Sequence, residues 1–257
     1  MKPLAQLDAR EIDSLLFDID ETLTTEGKLT ALAYAALEKL HAAGKRVIAV
    51  TGRPAGWCDH IARMWPVDAV VGENGAFYFC LAEGKLRKRF VDDEKTRVVK
   101  RGRLDTIAQT ILEQVPGCAI ASDQAYRETD LAIDYCEDVP PLALEAVERI
   151  AALMRGAGLT ARVSSIHVNG WFGDYDKLAM TRRLFKERFA ADLERAKRGV
   201  AYVGDSPNDA AMFAFFANSV GVANVRRFVG RMSDEPKFVT RASSGAGFAE
   251  LIAHLLH

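Results

Sequence analysis

The sequence predicts an α/β fold in which a doubly wound parallel sheet carries an inserted α+β domain, and three observations support this. Short apolar runs around residues 15–17, 45–50 and 68–71 alternate with segments of helical periodicity, which is typical of a βαβ series with right-handed crossovers. This alternation stops between residues 81 and 170 and then resumes. Polar residues directly follow several of the apolar runs, as they do where parallel strands end at a ligand-binding edge.

The first part of the chain alternates strands with helices. Thr30 is placed to cap a helix that has Leu32 on its apolar face and that stops at Gly44. The apolar spacing of the next helical segment predicts that it packs through Trp57, Ile61 and Met64. The strand at residues 68–71 then leads into a turn at residues 72–75.

The middle of the chain is expected to form a separate cap domain. A hairpin at residues 76–91 comes first, and two helical and four strand segments follow. Residues 131–135 alternate apolar and polar side chains, which indicates an antiparallel strand with one face exposed. The helices would cover one face of this sheet and leave the other available. The predicted boundaries are 1–80 and 171–257 for the core and 81–170 for the cap.

The last part of the chain resumes the core pattern. Asp176 is placed to cap a helix that begins at Lys177. A buried strand at residues 200–204 ends in the polar cluster 205–209, where Pro207 suits the first turn of a helix. Two further strands and a final helix are predicted at residues 220–223, 237–240 and 245–255.

Composition excludes several classes of function. The chain has 257 residues and 49% hydrophobic content, which is enough for one large core or two modest ones. With 34 basic and 35 acidic residues the net charge is −1, so no global field favours nucleic acid or a membrane surface. Residues 85–103 carry an excess of Lys and Arg, for which a solvated face is the favoured interpretation.

The cysteines indicate a reducing compartment. Cys58, Cys80, Cys118 and Cys136 are scattered without a Cys-x-x-Cys pair, a spacing that favours free thiols over a zinc site or a disulfide framework. No apolar stretch approaches the length of a membrane span. We therefore expect a soluble cytoplasmic protein whose partner is a small molecule.

Asp18 and Asp20 end the first apolar run, where a buried strand could not hold two carboxylates. A period of two points both side chains the same way, so their like charges call for a cation, a proton or the donors that also bind a phosphate. A solvated acidic pair at the end of a strand is the structural alternative for this stretch by itself.

Four short motifs occur in a fixed order: Asp-x-Asp-x-Thr at 18–22, Thr-Gly-Arg at 51–53, a lone Lys177, and Gly-Asp-x-x-x-Asp at 204–209. Together they resemble the motifs of the haloacid dehalogenase superfamily. The insertion between the second and third motifs, and the turn at 72–76, resemble its type IIB members, the group of sucrose-phosphate, mannosyl-3-phosphoglycerate and Cof-like sugar phosphatases. Glu21 stands where members usually have glycine, so we expect a local change in that turn.

The resemblance implies a Rossmann-like core that hydrolyses phosphate monoesters with Mg²⁺. Asp18 would be the nucleophile, and Asp20 would protonate the leaving alcohol and then activate water. Asp18, the backbone carbonyl of Asp20 and Asp205 would hold the metal, with Asp209 behind them in the same metal-binding group. Lys177 and Thr51 complete the implied catalytic set. The residues placed at the substrate are Thr51, Gly52, Arg53, Asn74, Lys177 and Asn208.

Other hypotheses remain open at this point. Taken singly, Thr51, Lys177 and Asp209 have ordinary structural interpretations, and it is their ordered conjunction that favours catalysis. A phosphomutase of the same fold would keep the phosphoryl group for transfer to a second sugar. A phospho-accepting regulatory protein uses similar residues but needs no cap, and an inactive binding protein would not need every charged role filled. The favoured substrate is a phosphorylated sugar or a similar small polar metabolite.

Overall fold

The computed structural model describes all 257 residues. The strands are β1 (Lys2–Pro3), β2 (Ser14–Phe17), β3 (Arg46–Val50), β4 (Ala69–Gly72), β5 (Phe77–Ala82), β6 (Lys85–Phe90), β7 (Ala119–Ile120), β8 (Asp130–Asp134), β9 (Thr160–Val163), β10 (His167–Trp171), β11 (Val200–Gly204), β12 (Asn218–Gly221) and β13 (Phe238–Val239). The helices are α1 (Ala31–Ala42), α2 (Ala55–Met64), α3 (Glu94–Gln114), α4 (Leu144–Gly156), α5 (Lys177–Phe189), α6 (Leu193–Ala196), α7 (Ala210–Phe215) and α8 (Ser244–Leu255).

The larger sheet has nine strands in the order β1-β13-β12-β11-β2-β3-β4-β5-β6. All its strand pairs are parallel except β4 with β5 and β5 with β6. Leu15 and Phe17 of β2 pack in a core with α1, α2 and α8, whereas Leu16 packs in a second core with α5 and α7. Helices therefore cover both faces of the sheet, and the predicted doubly wound α/β fold is confirmed.

The inserted unit has its own antiparallel sheet of four strands, in the order β7-β8-β10-β9. Helices α3 and α4 cover one face of it and share a third apolar core with the strands. The insertion is therefore an α+β unit, as the sequence predicts. That this unit selects the substrate remains a prediction.

Two expectations for the insertion need correction. The boundary predicted at residue 81 falls inside β5, because the β5–β6 hairpin extends the larger sheet through β4 rather than joining the smaller one. Strand β8, expected to be half exposed, is buried along its whole length. Hydrogen bonds satisfy its buried acidic side chains: Asp130 accepts from Arg127 and Asn169, and Asp134 accepts from the backbone of the following turn.

Both predicted helix caps are confirmed. Thr30 accepts a hydrogen bond from the backbone of α1, and Asp176 does the same for α5, which satisfies amides that have no partner inside the helix. Leu32, Trp57 and Met64 do not face inward as expected, since they are 59%, 43% and 65% exposed. Ile61 does face inward, and the other buried side chains of the two helices are Ala33, Ala36, Leu37 and Leu40 of α1 and Ala55, Cys58 and Ala62 of α2.

The basic stretch at residues 85–103 is largely neutralised within the fold. Lys88 pairs with Asp59, Arg97 with Glu128, and Lys100 with Asp92. Other members of the stretch stack on aromatic rings or donate to backbone carbonyls. None of the helices is both long and apolar enough to cross a bilayer.

Candidate active site

The four motifs meet at one edge of the larger sheet. Asp18 follows β2, Thr51 follows β3 and Asp205 follows β11, and these three strands are parallel neighbours with β2 in the middle. Lys177 begins α5 and extends its ammonium group into the same edge. Its Nζ lies 2.8 Å from Asp18 Oδ1 and 2.7 Å from Asp209 Oδ1.

Three buried carboxylates form a cluster beside this lysine. One oxygen each from Asp18, Asp205 and Asp209 lies within 4.8 Å of the others. Burial, together with the neighbouring carboxylates, raises the pKa of Asp18 and of Asp205 above their usual values, although Lys177 opposes the shift. Three like charges against one ammonium leave an excess of negative charge. A hard divalent cation with oxygen ligands fits this donor set.

Asp209 has little capacity left for a metal ion. Its Oδ1 accepts hydrogen bonds from Lys177 Nζ and the Tyr202 hydroxyl, and its Oδ2 accepts from the backbone N–H groups of Asp205 and Ser206. A carboxylate with four donors has its lone pairs in use. Asp209 therefore orients Lys177 and the loop after β11, as expected for a residue behind the metal ligands.

The side chain of Asp20 turns away from the three-carboxylate cluster. Arg53 Nε donates to both of its oxygens, at 2.9 and 3.1 Å. The strand geometry ends at Phe17, so the period of two that suggested parallel side chains for Asp18 and Asp20 does not extend through this turn. Both residues still line the same small cavity of about 10 Å³.

Glu21 stands where members of the haloacid dehalogenase superfamily, which the motifs resemble, usually have glycine. Its backbone is left-handed, with φ of 54°. This region is costly for most residues other than glycine. The turn is held by a hydrogen bond from the Glu21 N–H to Thr24 Oγ1 at 3.1 Å and by one from Ser244 Oγ to the Glu21 carboxylate. The expected local change is therefore a strained but well-supported residue.

Several hydrogen-bond donors near the cluster lack protein acceptors. The amide nitrogen of Asn74 is buried without a partner, and the Asn74 side chain lies against Gly52. The backbone N–H of Gly52 donates to no protein group. Asn208 accepts from Ser206 through its carbonyl oxygen, which leaves its amide free. An anion is the ligand that such a set of donors suits.

Arg53 contacts three carboxylates rather than open space. Besides Asp20, it donates to Asp123 at 3.2 Å and to Glu137 at 2.7 Å, and its guanidinium stacks on the Trp57 ring at 4.4 Å. Asp123 and Glu137 belong to the inserted unit, so Arg53 links that unit to the site. Carboxylates of both units engage its donors, and its predicted contact with the substrate stays a prediction.

Sequence reasoning missed the residues through which the insertion contacts the site. These are Glu73, Asp123, Arg127, Asp130 and Glu137, all of which bond across or beside the boundary between the two units. Only Glu73 lies in a segment with a family resemblance, the turn at 72–76, and the other four belong to no motif with a known spacing. Because residues 131–135 read as a half-exposed strand, no local signal indicated that the charged side chains at its start would be buried and would need partners.

Two openings reach the site. The smaller is a cavity of about 10 Å³, lined by Asp18, Asp20 and Arg53 from the core and by Arg127, His167 and Asn169 from the insertion. A larger cleft of about 420 Å³ adjoins it, with Asn74, Lys177 and Asn208 on one side and Arg162 of β9 on the other. Both are lined by the insertion as well as by the core.

Comparison with known proteins identifies the family. A family model described as haloacid dehalogenase-like hydrolase matches residues 15–99. A phosphoglycolate phosphatase from Pyrobaculum neutrophilum is 31% identical over 247 residues, covering 94% of this chain and 95% of the relative. The chain belongs to the haloacid dehalogenase-like hydrolase family. It is an enzyme of this family and of its phosphatase type.

Solved structures show the same fold for this haloacid dehalogenase-like hydrolase. A protein from Thermoplasma acidophilum matches with a TM-score of 0.71 and 16% identity, over 95% of this chain and 98% of that one. The sucrose-phosphatase from Synechocystis sp. PCC6803, solved with sucrose and phosphate, matches with a TM-score of 0.64 and 16% identity, over 96% and 98%. At this identity the likeness concerns the fold alone.

Proposed function

We propose that this enzyme is a Mg²⁺-dependent phosphomonoesterase that works through an aspartyl-phosphate on Asp18. The observation that carries the proposal is the cluster of Asp18, Asp205 and Asp209 around Lys177, with unpartnered donors on Gly52 and Asn74 beside it. A phosphate ester resists attack by an anion because both are negative, so catalysis needs cations and fixed donors around an in-line nucleophile.

Asp18, the backbone carbonyl of Asp20 and Asp205 would hold Mg²⁺. The fit rests on the buried excess of carboxylate charge and on an all-oxygen donor set. Bound there, the ion would neutralise phosphoryl charge and the repulsion between the carboxylates. The amide of Asn224 and the hydroxyl of Thr22 donate to Asp205 and so orient it toward the site.

The protein's own side chains divide the remaining work. Lys177 would neutralise charge on Asp18 and on the phosphoryl group, while Thr51, Gly52 and Asn74 would donate to the phosphoryl oxygens. An oxygen of Asp18 would bond to phosphorus as the ester bond to the leaving alcohol breaks. Asp20 would give that alcohol its proton and then take one from the water that hydrolyses the aspartyl-phosphate.

The substrate we propose is a small polar phosphate ester. Apart from Ile166, the residues of the insertion that line the small cavity carry hydroxyl, amide, imidazole and guanidinium groups, and buried donors of this kind reject ligands that leave them unpaired. A phosphorylated sugar and phosphoglycolate both meet this description. Phosphoglycolate is included because a relative that is 31% identical is named a phosphoglycolate phosphatase.

The four cysteines are free thiols, which supports the expected cytoplasmic location.

Phosphate release from a panel of esters tests the proposal. The panel holds p-nitrophenyl phosphate, phosphoglycolate and a set of sugar monophosphates, each assayed with Mg²⁺ and without any bisphosphate. We expect release from several of them and none with the Asp18→Asn variant. Activity that requires a bisphosphate, with the product a rearranged sugar phosphate, would identify a phosphomutase instead. No release from any ester by the folded, Mg²⁺-supplied enzyme would refute the proposal.

A further inference from the structure

Arg127 belongs to the inserted unit, between β7 and β8, yet it contacts the backbone of the core. Its Nη1 donates to the carbonyl oxygen of Gly52 at 2.9 Å, and its side chain is only 1% exposed. Gly52 lies directly after Thr51, in the loop that carries the phosphoryl donors of the proposed function. A residue of the insertion therefore supports the phosphate-binding loop itself.

The Arg127 guanidinium is held firmly by carboxylates of its own unit. Its Nε and Nη2 donate to the two oxygens of Asp123 at 3.0 and 3.2 Å, and its Nη1 lies 3.0 Å from Asp130. Asn169 in turn donates to Asp130 at 2.9 Å. A planar guanidinium held by two carboxylates has one orientation. If the guanidinium rotated away, the buried carboxylates of Asp123 and Asp130 would lose their partner. The position of Nη1 is therefore fixed.

The peptide group between Gly52 and Arg53 is consequently held at both ends. Its carbonyl accepts from Arg127, and its N–H donates to Thr51 Oγ1 at 3.1 Å. Because a peptide group is planar, fixing the direction of the carbonyl also fixes the direction of the N–H. Thr51 Oγ1 accepts this bond, so the hydroxyl hydrogen of Thr51 is available to another acceptor.

We propose that Arg127 is a positioning residue of the phosphate-binding loop. By holding the Gly52 carbonyl it fixes the Arg53 N–H and, through the bond from that N–H to Thr51 Oγ1, orients the Thr51 hydroxyl toward the phosphoryl group. The proposal rests on the proposed function, since it assigns the loop the role of binding phosphate. It makes the insertion part of the support of the phosphate site, in addition to any contact with the leaving group.

Three variants test the proposal. Arg127→Met removes the contact, and Arg127→Lys keeps a positive charge between Asp123 and Asp130 but lacks the fork that reaches Gly52 as well. Arg101→Met is the matched control, because Arg101 donates to the carbonyls of Arg127 and Asp130 in the same turn but to no core group. For each variant, calorimetry measures the affinity for inorganic phosphate and for Mg²⁺, and kinetics with p-nitrophenyl phosphate measures kcat and KM.

We expect phosphate affinity to fall about 100-fold in Arg127→Met and about tenfold in Arg127→Lys, with KM raised and kcat lowered, because small errors in donor placement carry large penalties. Mg²⁺ affinity stays within about twofold, since no metal ligand moves, and Arg101→Met stays within about twofold in phosphate affinity. A general loosening of the fold would instead weaken Mg²⁺ and phosphate binding together, and would do so in Arg101→Met too.

Folding of the variants is controlled separately. If Arg127→Met does not fold, the double variant Arg127→Met/Asp130→Asn removes one of the stranded charges, and Arg127→Lys decides the question in any case. Wild-type phosphate affinity in Arg127→Lys, or an equal loss in Arg101→Met, would overturn the positioning role. A wild-type enzyme that neither binds inorganic phosphate nor hydrolyses p-nitrophenyl phosphate would overturn the proposed function instead.

Discussion

The carboxylate of Glu73, in the turn that follows β4, accepts hydrogen bonds from both the backbone N–H and the hydroxyl of Thr129 in the insertion. It also accepts from the N–H groups of Glu128 and Ala55, at 2.8 and 2.9 Å. Glu73 is completely buried, and its four donors come from both units. A single side chain of the core thus holds the insertion by its backbone.

Glu73→Gln should strongly destabilise the protein. The amide keeps one acceptor oxygen and presents an NH₂ group to donors that then lack a partner, so we expect the free energy of unfolding to fall by about 3 kcal/mol. Urea denaturation measures the change. Glu128→Gln is the control, because that side chain is 49% exposed, and its effect should stay within about 0.5 kcal/mol. Equal effects of the two substitutions would contradict the assigned role of Glu73.

Asp18→Asn should abolish turnover without unfolding the protein. A neutral amide neither attacks phosphorus nor matches a divalent cation, whereas its oxygen still accepts from Lys177. Removing one charge from the crowded carboxylate cluster relieves repulsion, so stability should be unchanged or slightly higher. Phosphate release and urea denaturation are measured on the same preparation. Normal release by the folded variant would exclude Asp18 as the nucleophile.

Asp20→Ala should lower activity much more than it lowers Mg²⁺ affinity. The side chain of Asp20 bonds to Arg53 and not to the three-carboxylate cluster, so only its backbone would contact the metal. Calorimetry with Mg²⁺ and steady-state kinetics give the two quantities. Activity should fall by about 100-fold or more, with the smaller loss for an aryl phosphate, whose leaving group needs no proton. Parallel loss of Mg²⁺ binding would make Asp20 a side-chain ligand.

Metal removal should silence the enzyme reversibly. Treatment with EDTA leaves the buried carboxylates of Asp18 and Asp205 without a counter-cation other than Lys177, and added Mg²⁺ should restore activity. Ca²⁺ should restore little, since its larger and looser coordination shell disturbs in-line geometry. The assay follows phosphate release before chelation, after it and after each addition. Full activity in the chelated, metal-free enzyme would rule out this mechanism.

Glu137→Gln should destabilise the protein at neutral pH, and its difference in free energy of unfolding from wild type should shrink as the pH falls into the acid range. Burial opposes ionisation of Glu137, but hydrogen bonds from His167 and Arg53 outweigh it and lower its pKa from 4.5 to about 2. A depressed folded-state pKa stabilises the fold above the unfolded value, and this contribution is lost as pH falls from about 4.5 towards 2. Because the side chain is 27% exposed, we expect only about 1 kcal/mol at pH 7.

Urea denaturation of wild type and Glu137→Gln at pH 7, 4.5 and 3.5 measures this difference. Glu145→Gln serves as control, since Glu145 is an exposed residue in the first turn of α4 and has no contact with Arg53. The wild-type advantage should shrink with falling pH for Glu137 and stay flat for Glu145. A difference at Glu137 that does not change with pH would argue against an ionised link to Arg53.

Most helices and strands of the core could be predicted, because each is encoded by residues that are close together in the sequence. Thr30 and Asp176 cap their helices, and the apolar runs before Asp18 and Asp205 end where the strands end. Parallel strands with helical crossovers leave few topologies, so the carboxyl ends of β2, β3 and β11 had to meet. The grouping of Asp18, Thr51, Lys177 and Asp205 follows from that topology and from four short motifs.

The contacts between the insertion and the core could not be predicted from the sequence. The pairs Arg53–Glu137, Gly52–Arg127 and Glu73–Thr129 are separated by 84, 75 and 56 residues, and no local preference or period encodes which of them meet. The alternation of apolar and polar residues in β8 predicted a half-exposed strand. Its polar side chains are buried because they find hydrogen-bond partners elsewhere in the chain. The fold of each unit and the polar residues at the strand ends were predictable, because periodicity and short motifs encode them locally. The contacts between the two units depend on buried charged side chains, and these find their partners only once both units have folded and packed together.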